Sequence, residues 1–234
     1  MAKRIDADTW EIQGETITLP VTIRDARITI AMFTAPAEDA RGVIAGTPLS
    51  PLTVAGRAVA VLMLIHYPEW ALKTYDEVAV GLLVRGPGVH IVDLPVTGAF
   101  TREAGEDLWA LPKWLMGADL EFAPDRTSVA VRDGATEVMR AAVSAGRLRL
   151  PFGVRASMPT LSYLDRGAQA RRLLRGRAPL NLGGVRLGRG GCEVRLGDHP
   201  MAERMRALGM RGRPFLTITA ERWGGSLGSS TEVR

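Results

Sequence analysis

The sequence has 234 residues, 46% of them hydrophobic, with 26 glycines and a formal net charge of +5, which suits a single globular unit with a sizeable core. Its one cysteine, Cys192, excludes an intramolecular disulfide framework and accords with a reducing cytoplasm. With His66, His90 and His199 scattered there is no ligand spacing for zinc, so no metal site is expected. The opening Met-Ala-Lys-Arg-Ile-Asp has no apolar core of a signal peptide, and the longest apolar run, over 59–65, is too short to cross a bilayer.

Taken in order, residues 1–15 read as a polar leader. Segments 16–20 and 26–33 alternate as strands, with Asp25 as a turn residue between them. A short helix is predicted over 37–45, and a strongly apolar strand over 57–66. Segment 77–84 is apolar on both faces, the bulkier set being Val78, Val80, Leu82 and Val84, which fits a strand buried on both sides or lining a barrel. Gly86-Pro87-Gly88 turns the chain into a strand over 89–94.

Residues 101–107 suit a short helix, and Pro112 blocks its continuation and puts Lys113 on a kinked segment. Strands follow over 118–122, 128–132 and 136–143, the last two joined by the Asp133-Gly134 hairpin signal. Another strand is possible over 148–158, interrupted by Pro151 and Gly153. Segment 166–176 reads as helix or loop and 183–191 as a glycine-rich turn. That turn is followed by strand 192–196 and not by the helix a phosphate loop needs. A helix over 199–208 carries Met201, Met205 and Leu208 as a core stripe; 215–219 is a final strand and 221–234 a polar tail. The chain is thus mainly β (α+β) with a few short helices, one domain over 1–234.

Two charge features stand out. Between residues 155 and 189 eight arginines face one acid, Asp165, which is either a footprint for an anionic partner or a solvated arginine-rich surface. No nucleic-acid motif surrounds them, and no nucleic-acid partner is expected. Of the 30 basic residues only Lys3, Lys73 and Lys113 are lysines. Lys113 sits among Leu108, Trp109, Leu111, Trp114, Leu115 and Met116. Unlike a guanidinium, an ammonium in an apolar setting can give up its proton and act as a nucleophile. The alternative is a lysine whose stem lies on apolar surface while its head reaches water.

Three segments resemble the acetoacetate decarboxylase-like superfamily. Gly105-Glu106-Asp107-Leu108-Trp109-Ala110-Leu111-Pro112-Lys113 is similar to the family's run ending in Pro-Lys, Tyr75-Asp76-Glu77 to its Tyr-x-Glu segment, and 194–201 to its strand-Asp-His turn into a helix. The resemblance implies an antiparallel β cone or barrel around an apolar pocket, in a homo-oligomer, acting on a small keto acid through a lysine imine without metal or cofactor. It implies Lys113 as imine nucleophile, Glu77 as pocket acid/base, and Arg24 or Arg27 as the grip on a substrate carboxylate. Trp114 is a candidate pocket wall, and His66 a further pocket candidate.

The chain departs from that pattern. Trp114 stands where the decarboxylases have a second lysine, so burial among Trp109, Leu111, Trp114 and Met116 has to activate Lys113. No acid occurs near Val61, where they have a second glutamate. Three readings therefore stand open: β-keto acid decarboxylation, imine-dependent aldol addition and dehydration of pyruvate-type acids with aldehydes, and a non-catalytic member binding a ligand or, through its arginines, nucleic acid.

Overall fold

The computed structural model describes residues 2–68, 70–86 and 88–233; Pro87 of the expected Gly86-Pro87-Gly88 turn lies outside them. The polar leader is in fact folded. Strands β1 (Lys3–Arg4), β2 (Thr9–Ile12) and β3 (Glu15–Thr18) form a three-stranded antiparallel sheet. Trp10 and Ile12 alternate with Thr9 and Glu11, and both apolar side chains are buried, so a two-residue apolar stripe is enough to dock a short strand.

Strand β4 (Val21–Pro36) runs straight through Asp25. Asp25 adopts a left-handed φ of 54°, opposite register shifts in the partner strand. The expected turn is therefore a bulge, which bends a strand without ending it. Helix α1 (Ala37–Val43) and strand β5 (Thr53–Val54) lead into β6 (Arg57–Tyr67), β7 (Tyr75–Val84) and β8 (Gly88–Val96). Helix α2 (Ala99–Trp109) then delivers the chain to β9 (Lys113–Leu115), a short strand where a kink was expected. Next come β10 (Gly117–Phe122), β11 (Arg126–Asp133), β12 (Thr136–Ser144), β13 (Leu148–Arg149) and β14 (Val154–Ser162). Pro151 and Gly153 do separate β13 from β14. Segment 166–173 is loop, and the glycine-rich 183–188 is the interior of the long β15 (Leu174–Gly188). Strand β16 (Cys192–Leu196), helix α3 (Pro200–Ala207), β17 (Leu216–Leu227) and β18 (Thr231–Glu232) complete the chain. The expected tail is therefore largely strand.

Seven strands close a barrel in the order β15-β14-β8-β7-β6-β4-β17, with β17 pairing back onto β15. Closure leaves these strands no free edge. A second sheet, β10-β11-β12-β16, packs on one side. Side-chain alternation sorts the two cores. Val61, Met63, Ile65 and Tyr67 of β6, with Ala79 of β7, point into the barrel. Leu62, Leu64, Val78, Val80 and Leu82 point out and meet Val131, Met139, Met201 and Met205. The bulky face of β7 thus packs between layers, and its small face lines the barrel.

Candidate active site

Helix α2 positions the site. Its C-cap Ala110 takes a left-handed φ of 51°, and the Leu111 N–H donates to the Gly105 carbonyl at 3.0 Å. Pro112 then prevents further helix. Lys113 opens β9, paired in parallel with Leu94 of β8, and its side chain runs back along the helix. There Thr101 and Gly105, one helical turn apart, share a face. A Cβ at Gly105 would lie 2.6 Å from Lys113 Cε, so the absence of a side chain makes the channel for the lysine stem.

Lys113 is 3% exposed. Its Nζ lies 2.9 Å from Glu77 Oε2, donates to Thr101 Oγ1 at 2.9 Å and stands 4.9 Å from the Tyr75 ring centre. Tyr67 donates to Glu77 Oε1 at 3.3 Å. Burial first, and then the charge of Glu77, push the Tyr67 and Tyr75 phenols well above their ordinary range, so both stay neutral. The two rings stack at 4.5 Å, and Trp70 packs beside both, 5.2 Å from Tyr67 and 6.4 Å from Tyr75. A buried amine, a carboxylate oriented by a phenol and a hydroxyl thus form one contiguous polar group.

Glu77 and Tyr67 line a cavity of about 120 Å³ inside the barrel, whose other walls include Met63, Ile65, Leu94, Trp109, Leu111 and Trp223. The Lys113 amine is one ion pair removed from that wall. The sequence expectation invoked burial alone to activate it; the structure adds a carboxylate in direct contact. Thr101 and Tyr67 were not anticipated. The signal for Thr101 was its spacing to Gly105, and for Tyr67 the inward alternation of β6.

The other expected site residues lie elsewhere. Arg24 and Arg27 are both exposed. The bulge at Asp25 shifts the inward set from Ile23 to Ala26 and Ile28, leaving both arginines outside, and Arg27 borders a separate surface hollow. Trp114 follows Lys113 on a strand and so faces the opposite way, where it packs on His199 at 5.3 Å. Met116 joins the core between the layers, while Trp109 and Leu111 do border the cavity. His66 points away from the barrel interior and is bound to Asp76 at 2.7 Å. Val61 is buried on the inner face.

Solved structures share this fold. An acetoacetate decarboxylase from Legionella pneumophila is 14% identical with a TM-score of 0.69, covering 92% of this chain and 87% of that one. An acetoacetate decarboxylase-like enzyme from Sphingomonas wittichii is 14% identical at 0.70, covering 94% and 96%. The enduracididine biosynthesis enzyme MppR, complexed with the condensation product of pyruvate and imidazole 4-carboxaldehyde, is 14% identical at 0.68, covering 92% and 90%. No curated protein matches the sequence. The family model for acetoacetate decarboxylase matches residues 12–213, and the chain belongs to that family.

Proposed function

We propose that this protein is an imine-forming lyase acting on a small keto acid, with Lys113 as the nucleophile and β-keto acid decarboxylation as its reaction. The observation that carries this reading is the buried contact of Lys113 with Glu77 at the wall of an apolar cavity. Glu77 takes a proton from the ammonium, and the freed Nζ attacks the keto carbon. Glu77 gives that proton back to the departing hydroxyl, and loss of water leaves a protonated imine. The bond to the carboxylate then breaks, its electron pair moves into the imine, and CO₂ leaves an enamine. A proton taken up from solvent and passed through Glu77 adds to the enamine carbon, and water hydrolyses the resulting protonated imine to the ketone and the lysine ammonium. Tyr67 orients Glu77 and Thr101 orients the amine. The water-poor walls favour the step in which charge is neutralised.

Aldol addition and dehydration is the second reading. Among the described residues Glu77 is the sole carboxylate lining the cavity, Val61 stands where a second acid is expected, and MppR is a structural neighbour crystallised with a pyruvate condensation product.

Borohydride trapping with acetoacetate and with pyruvate, followed by peptide mass spectrometry, tests the proposal. A reduced adduct on the Lys113 peptide, absent in Lys113→Arg, is expected, with CO₂ lost before reduction of the acetoacetate adduct. An adduct from pyruvate alone moves the assignment to aldol chemistry. No adduct from either acid refutes the imine.

A further inference from the structure

The wall of the barrel cavity lacks a side chain at Gly176. Thr160 on β14 pairs with Gly176 on β15, and Ser230 precedes Thr231, the partner of Arg175. Gly176 thus has a hydroxyl residue on either side in one row across the sheet, and all three line the cavity. A Cβ at Gly176 would lie 2.8 Å from Thr160 Oγ1 and 2.9 Å from Ser230 Oγ. Both hydroxyls therefore lean over the space the glycine leaves open, and neither bonds to another described residue. Trp109 fixes the chain on both flanks: its carbonyl accepts from Ser162 Oγ at 2.5 Å, and its Nε1 donates to the Gly228 carbonyl at 2.9 Å.

No charge accompanies these hydroxyls. Glu77 faces the cavity but is engaged by Lys113 and Tyr67, and Arg177 follows Gly176 on a strand and so faces outward. The inward residues next along the two strands are Met158, Ala178 and Leu180. We infer that Thr160, Ser230 and the bare backbone of Gly176 form a subsite for a neutral oxygen, a hydroxyl or carbonyl, on the substituent of the keto acid. This deepens the imine reading by naming the substrate class and rests on that reading for the keto group, but the subsite itself does not need it. Each hydroxyl both donates and accepts, so the pair satisfies an uncharged oxygen. It brings no positive charge to a second carboxylate, whose burial without one is costly. The reacting carboxylate, one carbon from the keto group, stays beside the amine, and the oxygen-bearing substituent extends from the other side of the keto carbon.

Non-reactive ligands separate the subsite from the lysine chemistry. Trp109 and Trp223 line the cavity, so tryptophan fluorescence reports occupancy by hexanol or by its counterpart without a hydroxyl, hexyl chloride. The Thr160→Val/Ser230→Ala double variant is expected to bind hexanol about tenfold more weakly than the wild type, as the loss of two hydrogen bonds predicts. Its affinity for hexyl chloride is expected to stay the same, which also shows that the cavity is intact. Gly176→Ala fills the space between the hydroxyls and is expected to weaken hexanol in the same way. Hexanol binding that survives the double variant, or that falls together with hexyl chloride, overturns the subsite, and unchanged hexanol binding in Gly176→Ala overturns its location. Hexanoate is expected to lose little in the double variant; a loss as large as that of hexanol overturns the neutral class. Failure of trapping at Lys113 alongside a hexanol affinity that depends on Thr160 and Ser230 rejects the imine reading and leaves the subsite standing. Successful trapping without that dependence rejects the subsite alone.

Discussion

Gly105 and Lys113 stand on either side of a helix end, and the lysine stem fills the space a side chain at Gly105 would take. In Gly105→Ala the helix gains about 1 kcal/mol of propensity, offset by about 1–3 kcal/mol of overpacking. Stability is therefore expected to change little. The amine, however, is displaced, and a shift on the order of 1 Å can cost about 100-fold in rate. Near-native thermal unfolding with strongly slowed trapping is the expected outcome; unaltered trapping would show that Gly105 does not position Lys113. Glu77 carries a different risk. Removing one partner of a buried ion pair costs about 3–5 kcal/mol, whereas replacing both can be neutral. Urea unfolding should show that loss in Glu77→Gln and its recovery in the Lys113→Met/Glu77→Gln double variant. Additive losses would mean the two groups do not interact.

At the scale of elements, the barrel has one weak seam. Strands β8 and β14 share a single parallel pair, Val89 with Thr160. His90 closes the gap by donating from Nδ1 to the Leu161 carbonyl at 2.9 Å. Burial depresses the pKa of His90, against the opposing effect of that hydrogen bond. The folded state therefore favours neutral imidazole, while the unfolded chain takes up a proton below about pH 6.5. The stability this histidine contributes is complete above that value and is lost as pH falls through its lower folded pKa. Denaturation midpoints should fall between about pH 7 and pH 5, and fall less in His90→Gln. An equal acid response in both proteins argues against this assignment. Helix α2 is tied down more firmly. Its Asp107 accepts from the Ala2 and Ala168 N–H groups at 2.6 and 2.8 Å, and Trp109 Nε1 donates to the Gly228 carbonyl at 2.9 Å. The N-terminal sheet, the 163–173 loop and the C-terminal segment thus all hold the helix that carries Thr101 and Gly105.

Over the whole molecule, two layers share one core, and Cys192 sits inside it. Burial, with Glu193 adding to it, pushes the Cys192 thiol up to about 12, so its thiolate is scarce near neutrality. Alkylation under native conditions should therefore be slow and track unfolding as denaturant is added. Rapid labelling of the folded protein would mean that the second sheet opens on its own. The arginine-rich stretch is partly used internally: Arg166 pairs with Glu106, Arg172 with Glu232, and Arg186 donates to the Pro124 carbonyl. Among the described residues no helix is long and apolar enough to cross a membrane.

Local chemistry was sufficient for much of this. The mainly β class, most strand positions, the Asp133-Gly134 hairpin and the singular Lys113 followed from periodicity, turn residues and the rarity of lysine, because each is a property of neighbours along the chain. The contact of Lys113 with Glu77 joins β9 to β7 and depends on which strands pair, and no local pattern encodes that. The same holds for the outward turn of Arg24 and Arg27, since a single left-handed residue at Asp25 reverses which side chains point inward. Trp114 faces outward because Pro112 is followed by a strand, where neighbours alternate, and not by an irregular kink. Residue types determined what chemistry was available, and barrel closure decided which residues share a cavity, because closure brings strands distant in sequence around one interior.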